Sequence, residues 1–508
     1  MKRRLWHFGI VALLFLAGLA PRVKNIQTGG FPTVIPHLQV LQATQVWDEA
    51  GGARYAYLPV QTWTGPNDKF VTYFERLQND KGDNYYVSYP PFAFVLAYGF
   101  CKLTDMPLSV LSITVLNLLL QWLGAWCVFG IARRLIPDRG RGIFWPGIAA
   151  AAVFICNPAS MRLYSQVYFS ESVGTTLLCL FFYFAVRVTQ EPVRAGGLTG
   201  MAVSLFLLAY TEWVGFFAAA VFGIFWSVRV LRRNMSVLPV LLLCVSALAG
   251  ALLFAYQLDV VTGGGDFLAN IKERYLARTG MRDREKSVGD TVFKDGFWQW
   301  GLSNLRVTFF AARFFVPVLL AGTWLYLRNK GRETRSAVNN RLSRALFWAV
   351  TATVAVNFAV LFNFSMMHNY TWAKWGIPLA LAAGWCVYRV QAARRALAAA
   401  LLLTAGLFVT DLVFYQSFGS KDSAPAYWEE LTAFIKKEAR PDETIYITTV
   451  SEEIDPTFHL TYYTRRNMAN VKTQAEARAH AAALGRTHFV WFDFNQFEGR
   501  MEAHHSIP

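Results

Sequence analysis

Glu171 and Glu212 are carboxylates placed at the edges of strongly apolar stretches. A carboxylate carried into hydrocarbon is costly enough to require an ionic partner or a water-filled cavity, which makes each a binding-site candidate. Arg162 lies just before Glu171. For Glu212 the plain alternative is an interfacial side chain that reaches water. Positive charge gathers in the segment 258–306, where Lys272, Arg274, Arg278, Arg282, Arg284 and Lys286 stand between Gly263-Gly264-Gly265 and Trp298-Gln299-Trp300. Seven acids nearly balance the eight bases there, so most of them belong to solvated surface. One or two can still clamp a phosphate in bidentate geometry. Arg306 and Arg313 border an apolar helix, where snorkelling to the interface is the ordinary reading. The triple glycine is not a P-loop, because no Gly-Lys-Ser/Thr follows. Asp80 and Asp83 are too sparse for a metal motif, and there is neither a His-Glu-x-x-His nor a cysteine pair. No cofactor is expected, and a divalent metal is not favoured.

These groups must be held by a framework, and the composition says which kind. Of 508 residues, 54% are hydrophobic and 16% charged, against about 25% charged in ordinary soluble domains. A soluble multidomain protein is excluded. Apolar runs close to the roughly 20 residues needed to cross a bilayer fall at 5–20, 107–131, 143–157, 172–188, 199–212, 213–228, 235–257, 307–327, 345–363, 372–388 and 396–414. A twelfth helix, 91–104, is too short and too close to its neighbour to span by itself.

The net charge of +16 would by itself suggest nucleic acid or an anionic membrane. Its distribution decides. Six short segments (1–4, 133–141, 187–197, 229–234, 328–344 and 389–395) carry a net +18, and the remainder sums to −2. By the positive-inside rule these are cytoplasmic, and they alternate correctly with eleven crossings. No nucleic-acid partner is expected; the partners are membrane lipids and whatever meets the outer loops. The N-terminus is cytoplasmic, and Pro21-Arg22 after the first run argues for an uncleaved anchor over a signal peptide. The fold expected is an α-helical polytopic membrane protein of about 11 to 13 transmembrane helices. Its membrane domain is 1–414, with outer loops at about 21–90 and 258–306, and a small α/β extracytoplasmic domain occupies 415–508. All six cysteines lie in apolar segments and read as small core residues.

In the tail, a helix through Trp428, Leu431, Phe434 and Ile435 precedes a strand at 444–450. Phe458 to Tyr463 reads as a second strand, 475–484 as a helix, and 488–494 as a third strand. In the first outer loop, Leu38, Leu41, Gln42 and Gln45 line one side of a short interfacial helix that begins at Pro36-His37 and ends at Asp48-Glu49-Ala50-Gly51-Gly52. Later, Asp80-Lys81-Gly82-Asp83-Asn84 makes a turn, and Tyr85 to Tyr89 leads into Pro90-Pro91-Phe92, which opens the helix 91–104.

This layout resembles the GT-C superfamily of integral-membrane glycosyltransferases, in particular the branch of protein O-mannosyltransferases and lipid A aminoarabinose transferases. The resemblance rests on the first helix ending at Arg22, the large first outer loop with its short helix, the Pro-Pro-Phe entry, the second large outer loop and the C-terminal domain. Arg162 and Glu171 echo an Arg and an acid of such enzymes. Met367-His368-Asn369-Tyr370-Thr371-Trp372-Ala373-Lys374 resembles their polar lead into a late helix. The resemblance implies transfer of one sugar from a polyprenyl-phosphate donor to a lipid, glycan or protein acceptor on the outer face of a bacterial inner membrane. A base must take the acceptor proton, and cations must neutralise the leaving phosphate. Lys272, Arg274, Arg306, Arg313, His368 and Lys374 are the donor-phosphate candidates, and Arg162, Glu171 and Glu212 the acceptor-side ones. The family carries an acid near the start of the first-loop helix, where this sequence has Pro36-His37. Either the register differs and Asp48, with Glu49 beside it, is the base, or His37 has taken the position, or the chemistry has changed. The plain readings are a solvated helix end for the acids and a headgroup-facing residue for His37. The rival classes are a transporter or flippase of a lipid-linked substrate and a surface-glycan polymerase or ligase.

Overall fold

The structure, a computed structural model, describes residues 2–27, 35–65, 77–137, 144–192, 194–263, 267–279, 298, 302, 337–390, 425–449, 457–495 and 500–505. In chain order the elements begin with α1 (Lys2–Gln27), α2 (Ile35–Ala50), the strand pair β1 (Leu77–Gln78) and β2 (Asn84–Tyr85), and α3 (Phe92–Thr104). Then come α4 (Val110–Leu135), α5 (Trp145–Cys156), α6 (Pro158–Gln166), α7 (Ser170–Gln190), α8 (Ala195–Ala209), α9 (Val214–Leu231), α10 (Leu238–Thr262) and α11 (Phe267–Thr279). After α12 (Ala337–Val360) and α13 (Phe362–Met367), a 3-10 segment (Asn369–Trp375) leads into α14 (Gly376–Val390). The C-terminal elements are α15 (Pro425–Glu438), β3 (Thr444–Thr449), α16 (Thr457–Thr464), β4 (Met468–Asn470), α17 (Gln474–Ala483), β5 (Phe489–Asn495) and β6 (Arg500–His505).

Among the described residues, five helices are long and apolar enough to cross a membrane: α4, α7, α9, α10 and the Arg341–Val360 part of α12. The expected spans at 307–327 and 396–414 lie outside the described residues. α3, at about 1.5 Å per residue, covers about 20 Å and falls short of the roughly 30 Å hydrocarbon core, as its length suggested. On α10 a stripe of Leu241, Val245, Leu248, Leu252, Tyr256 and Val260 is exposed. Its spacing of three and four residues gives one apolar helix face, the kind that suits lipid.

The chain forms two compact units. The first comprises 1–28, 113–254 and 271–421. Here α14 lies along α5, brought close by Gly384, whose missing β-carbon leaves room for the Pro146 carbonyl oxygen. Phe181, Phe182, Phe222 and Trp226 are buried between α7 and α9, and the Trp226 indole N–H donates to Thr189 Oγ1 at 2.9 Å. The helix expected over 143–157 stops at Asn157 for a local reason. Its side-chain oxygen accepts the N–H groups of Ala159 (3.0 Å) and Ser160 (3.4 Å), and Pro158 occupies the first position of the next helix. Arg162 therefore sits on a helix of its own. All six cysteines are free; five are buried and Cys244 is exposed.

The second unit comprises 29–112, 255–270 and 422–508. Its four-stranded sheet has the order β4-β3-β5-β6, with β3 parallel to β4 and β5, and β6 antiparallel to β5. Ile445, Ile447, Val490 and Phe492 pack with Leu431 and Ile435 of α15 on one face. Tyr446 and Phe489 meet Ala477 and Ala481 of α17 on the other. The strands expected at 444–450 and 488–494 are β3 and β5. Phe458 to Tyr463 is not a strand but most of α16. His459, Leu460 and Thr464 are buried at helical spacing, and Thr464 Oγ1 bonds the Leu460 carbonyl at 2.6 Å. The partner strand is the shorter Met468–Asn470, and β6 was not apparent in the sequence. In the first loop, α2 buries Gln39, Gln42 and Thr44 together with Leu38, Val40, Leu41, Val46 and Trp47. It is enclosed on more than one side, unlike the one-sided interfacial helix expected. Gly51, at φ +83°, ends it as the glycine stop predicted.

Candidate functional site

Four of the sequence-selected residues come together in the first unit. Glu212 lies in the tight turn between α8 and α9, where Gly215 lets the start of α9 press against the Ala209 backbone. The 3-10 segment brings Lys374 to it, with Nζ 2.6 Å from Oε1 and both side chains at most 3% exposed. That segment is pinned by Trp372, whose indole N–H donates to Ser365 O (2.8 Å), and by Thr371 Oγ1, which donates to His368 O (2.7 Å). Gly174 on α7 has no β-carbon, and the Glu212 carboxylate fills the space one would take. Glu171, in the first turn of α7, is completely buried and adds negative charge within electrostatic reach of Glu212. A carboxylate there also faces the positive end of its own helix.

Arg278 completes the cluster. It is buried at the end of α11, with its guanidinium 4.7 Å from the Phe364 ring centroid. His368 stands between Phe364, at 4.4 Å, and Tyr370, on which it stacks at 5.0 Å. Burial, together with the repulsion of Glu171, pushes the Glu212 carboxyl up to about 7 against the pull of Lys374 and Arg278. Burial and the nearby Arg278 push the His368 imidazole down to about 4, so it is neutral at neutral pH. Two carboxyl groups, a lysine, an arginine and a neutral imidazole thus share one region. Such a set can bind an anionic group and exchange a proton near neutrality. Arg278 carried no spacing signal to separate it from the other bases of its segment.

The remaining residues lie elsewhere. Arg162 is half-buried on α6, which packs against the 3-10 segment. Lys272 is exposed. The side chain of Arg274, and Arg306 and Arg313 altogether, lie outside the described residues. In the second unit, Asp48 pairs with Lys102 of α3, and Glu49 pairs with Arg465 at 3.2 Å. All four are partly exposed, as a solvated helix end would be. His37 on the same helix is 2% exposed. Asp83 is buried in the β1–β2 hairpin and accepts from Asn79 Nδ2 at 3.3 Å. Burial, and then Asp83 itself, raises the hydroxyls of Tyr55 and Tyr85. No group of three or more His, Cys, Asp or Glu suited to a metal occurs among the described residues.

No protein-family model matches the sequence, and no curated protein gives a significant match. Solved structures do. ArnT from Cupriavidus metallidurans, bound to undecaprenyl phosphate, superposes with TM-score 0.58 at 13% identity, over 99% of this chain and 98% of that one. The oligosaccharyltransferase of Archaeoglobus fulgidus, in its apo form, gives TM-score 0.61 at 12% identity, over 96% and 70%. The archaeal oligosaccharyltransferase AglB from the same organism, in complex with an inhibitory peptide and a dolichol-phosphate, gives 0.55 at 11% identity, over 96% and 69%.

Proposed function

The chain is a multi-pass membrane protein with the GT-C fold, and on that premise we propose that it transfers a single sugar from a polyprenyl-phosphate donor to an acceptor on the outer face of a bacterial inner membrane. The observation that carries this reading is the cluster of buried Glu171, Glu212, Arg278 and Lys374 with half-buried His368 at the ends of apolar helices. The polyprenyl phosphates held by two of the structural neighbours support it. In this reading the N-terminus and the basic loops are cytoplasmic, and the C-terminal sheet is outside.

The acceptor oxygen bonds to the anomeric carbon while the bond from that carbon to phosphate breaks. The acceptor proton passes to a protein base, and polyprenyl phosphate leaves with its charge held by cations. Lys374 and Arg278 supply that charge, Glu212 orients Lys374, and neutral His368 offers a donor. Arg162 and Glu171 serve the acceptor side, and Lys272, Arg274, Arg306 and Arg313 are further phosphate contacts. For the base, His37 and Asp48, with Glu49 beside it, are the alternatives on α2; both acids are engaged in exposed ion pairs. No cofactor enters this scheme, and activity is expected to persist in chelator.

The test is incubation of the purified protein with radiolabelled polyprenyl-phosphate sugars and a membrane extract as acceptor source. Transfer of one sugar, lost in Lys374→Met and in either His37→Ala or Asp48→Ala, supports the reading. Transbilayer movement with no bond change makes the protein a flippase, and transfer of whole chains makes it a polymerase or ligase.

A further inference from the structure

The C-terminal α/β region is joined to the first loop, through α16 and the turn after it, by contacts more specific than covering requires. At Trp63 the main-chain N–H donates to Asn467 Oδ1 at 2.8 Å, and the Asn467 amide returns a bond to the Trp63 carbonyl at 3.4 Å. A primary amide thereby gives main chain the two-point pairing that a neighbouring strand would give. The Trp63 indole N–H donates to Thr461 O of α16 at 2.9 Å. Arg465 follows α16 in the left-handed region, at φ +57°. Its guanidinium lies 5.3 Å from the Trp63 ring centroid and also pairs with Glu49 of α2 at 3.2 Å. Tyr462, on the same helix, is hydrogen-bonded to the Gln45 side chain of α2. Trp63 and Asn467 are 3% and 2% exposed, so these bonds are shielded from water.

α2 carries His37, Asp48 and Glu49. From this arrangement we infer that the C-terminal α/β region is a positioning element for the catalytic loop: α16 and Asn467 hold α2 and Trp63 in register, so that the base on α2 meets the acceptor in productive geometry. Asn467 and Trp63 act through α2 and do not touch substrate. The inference rests on the glycosyltransferase reading for its catalytic part, while its structural part stands alone. A bound geometry that slips by about 1 Å costs on the order of a hundredfold in rate, so loosening the clamp acts on turnover more than on donor affinity.

The experiment uses the full chain in lipid nanodiscs. Asn467→Ala, Trp63→Phe and, as a control inside the same sheet, Tyr446→Phe are compared with wild type in two assays. In transfer from the radiolabelled donor, Asn467→Ala is expected to lower kcat at least about tenfold with KM for donor nearly unchanged. Trp63→Phe, which keeps an aromatic ring under Arg465 but loses the bond to Thr461 and part of the ring volume, should fall less, and Tyr446→Phe should match wild type. In amide hydrogen exchange, Asn467→Ala should deprotect Ile35–Ala50 while α7 and α9 keep their protection. Unchanged exchange in α2 overturns the inference. So does increased exchange with full kcat, and so does a loss confined to KM. Wild-type protein that transfers no sugar refutes the glycosyltransferase reading and the catalytic part with it, and the clamp is then decided by exchange alone. A variant that loses protection everywhere has unfolded, and Asn467→Asp, which keeps the acceptor for the Trp63 N–H, then carries the comparison with the same criteria.

Discussion

Removing Lys374 exposes the energetics of the buried cluster most directly. In Lys374→Met the methylene volume is largely retained, but Glu212 is left at 2% exposure without its 2.6 Å partner. Breaking a buried pair by deleting one member costs about 3–5 kcal/mol, because the surviving charge stays desolvated. Glu212→Gln costs less, since the amide can still accept from Lys374. The double variant Glu212→Gln/Lys374→Met leaves no buried charge at that point and should sit close to wild type, so the two single effects are strongly non-additive. A coupling of at least about 2 kcal/mol is expected for groups in direct contact. The assay is thermal unfolding of the four proteins in one detergent, followed by tryptophan fluorescence, at pH 5 and pH 8. Glu212 titrates near 7 even with Lys374 present, and losing the cation raises it further. The penalty of Lys374→Met should therefore shrink at pH 5, where the carboxyl takes up a proton. Additive single effects, or a penalty that grows on acidification, would refute the assignment of this pair as buried and charged.

Other outcomes follow from the same geometry. Glu212 titrates near 7 in the folded state against 4.5 unfolded, so its contribution to stability is fully present below about pH 4.5 and is lost as pH rises toward 7; Glu212→Gln should flatten the unfolding midpoint across that window. His368 is shifted the other way, from 6.5 to about 4, so its contribution is lost as pH falls from 6.5 toward 4, and His368→Gln should remove that acid-side loss. Gly174→Ala drives a methyl into the Glu212 carboxylate and should destabilise by about 1–3 kcal/mol, read as a lower unfolding midpoint. Asn157→Ala removes the cap of α6 and should cost about 0.5–2 kcal/mol by the same measurement.

The membrane framework was legible because hydrocarbon imposes a simple rule on composition and length. The stop at Asn157 was read as the end of the run 143–157, but the helix α6 that Asn157 caps was not, because its nine residues are too few to show a helical period. Phe458 to Tyr463 misled because aromatic residues suit strands, yet the tertiary pattern at His459, Leu460 and Thr464 has a helical period. For the site, Glu171 and Glu212 were selected as acids at the edges of apolar stretches, and His368 and Lys374 from the polar stretch leading into a late helix. Their convergence was not readable, because it depends on Gly174 and on the tight turn at 210–213. Arg278 was missed because a base in a balanced loop looks solvated until an aromatic ring is found beneath it.

The bonds between Trp63 and Asn467 bridge 404 positions of sequence. At a synthesis rate of about 5–20 residues per second, roughly 20–80 s pass between the appearance of the two partners. Through that interval the buried amides and indole of the first loop lack their final hydrogen bonds. The loop is thus completed last although it is made early, and any truncation from the C-terminal end would reach it before it reached the helices of the first unit.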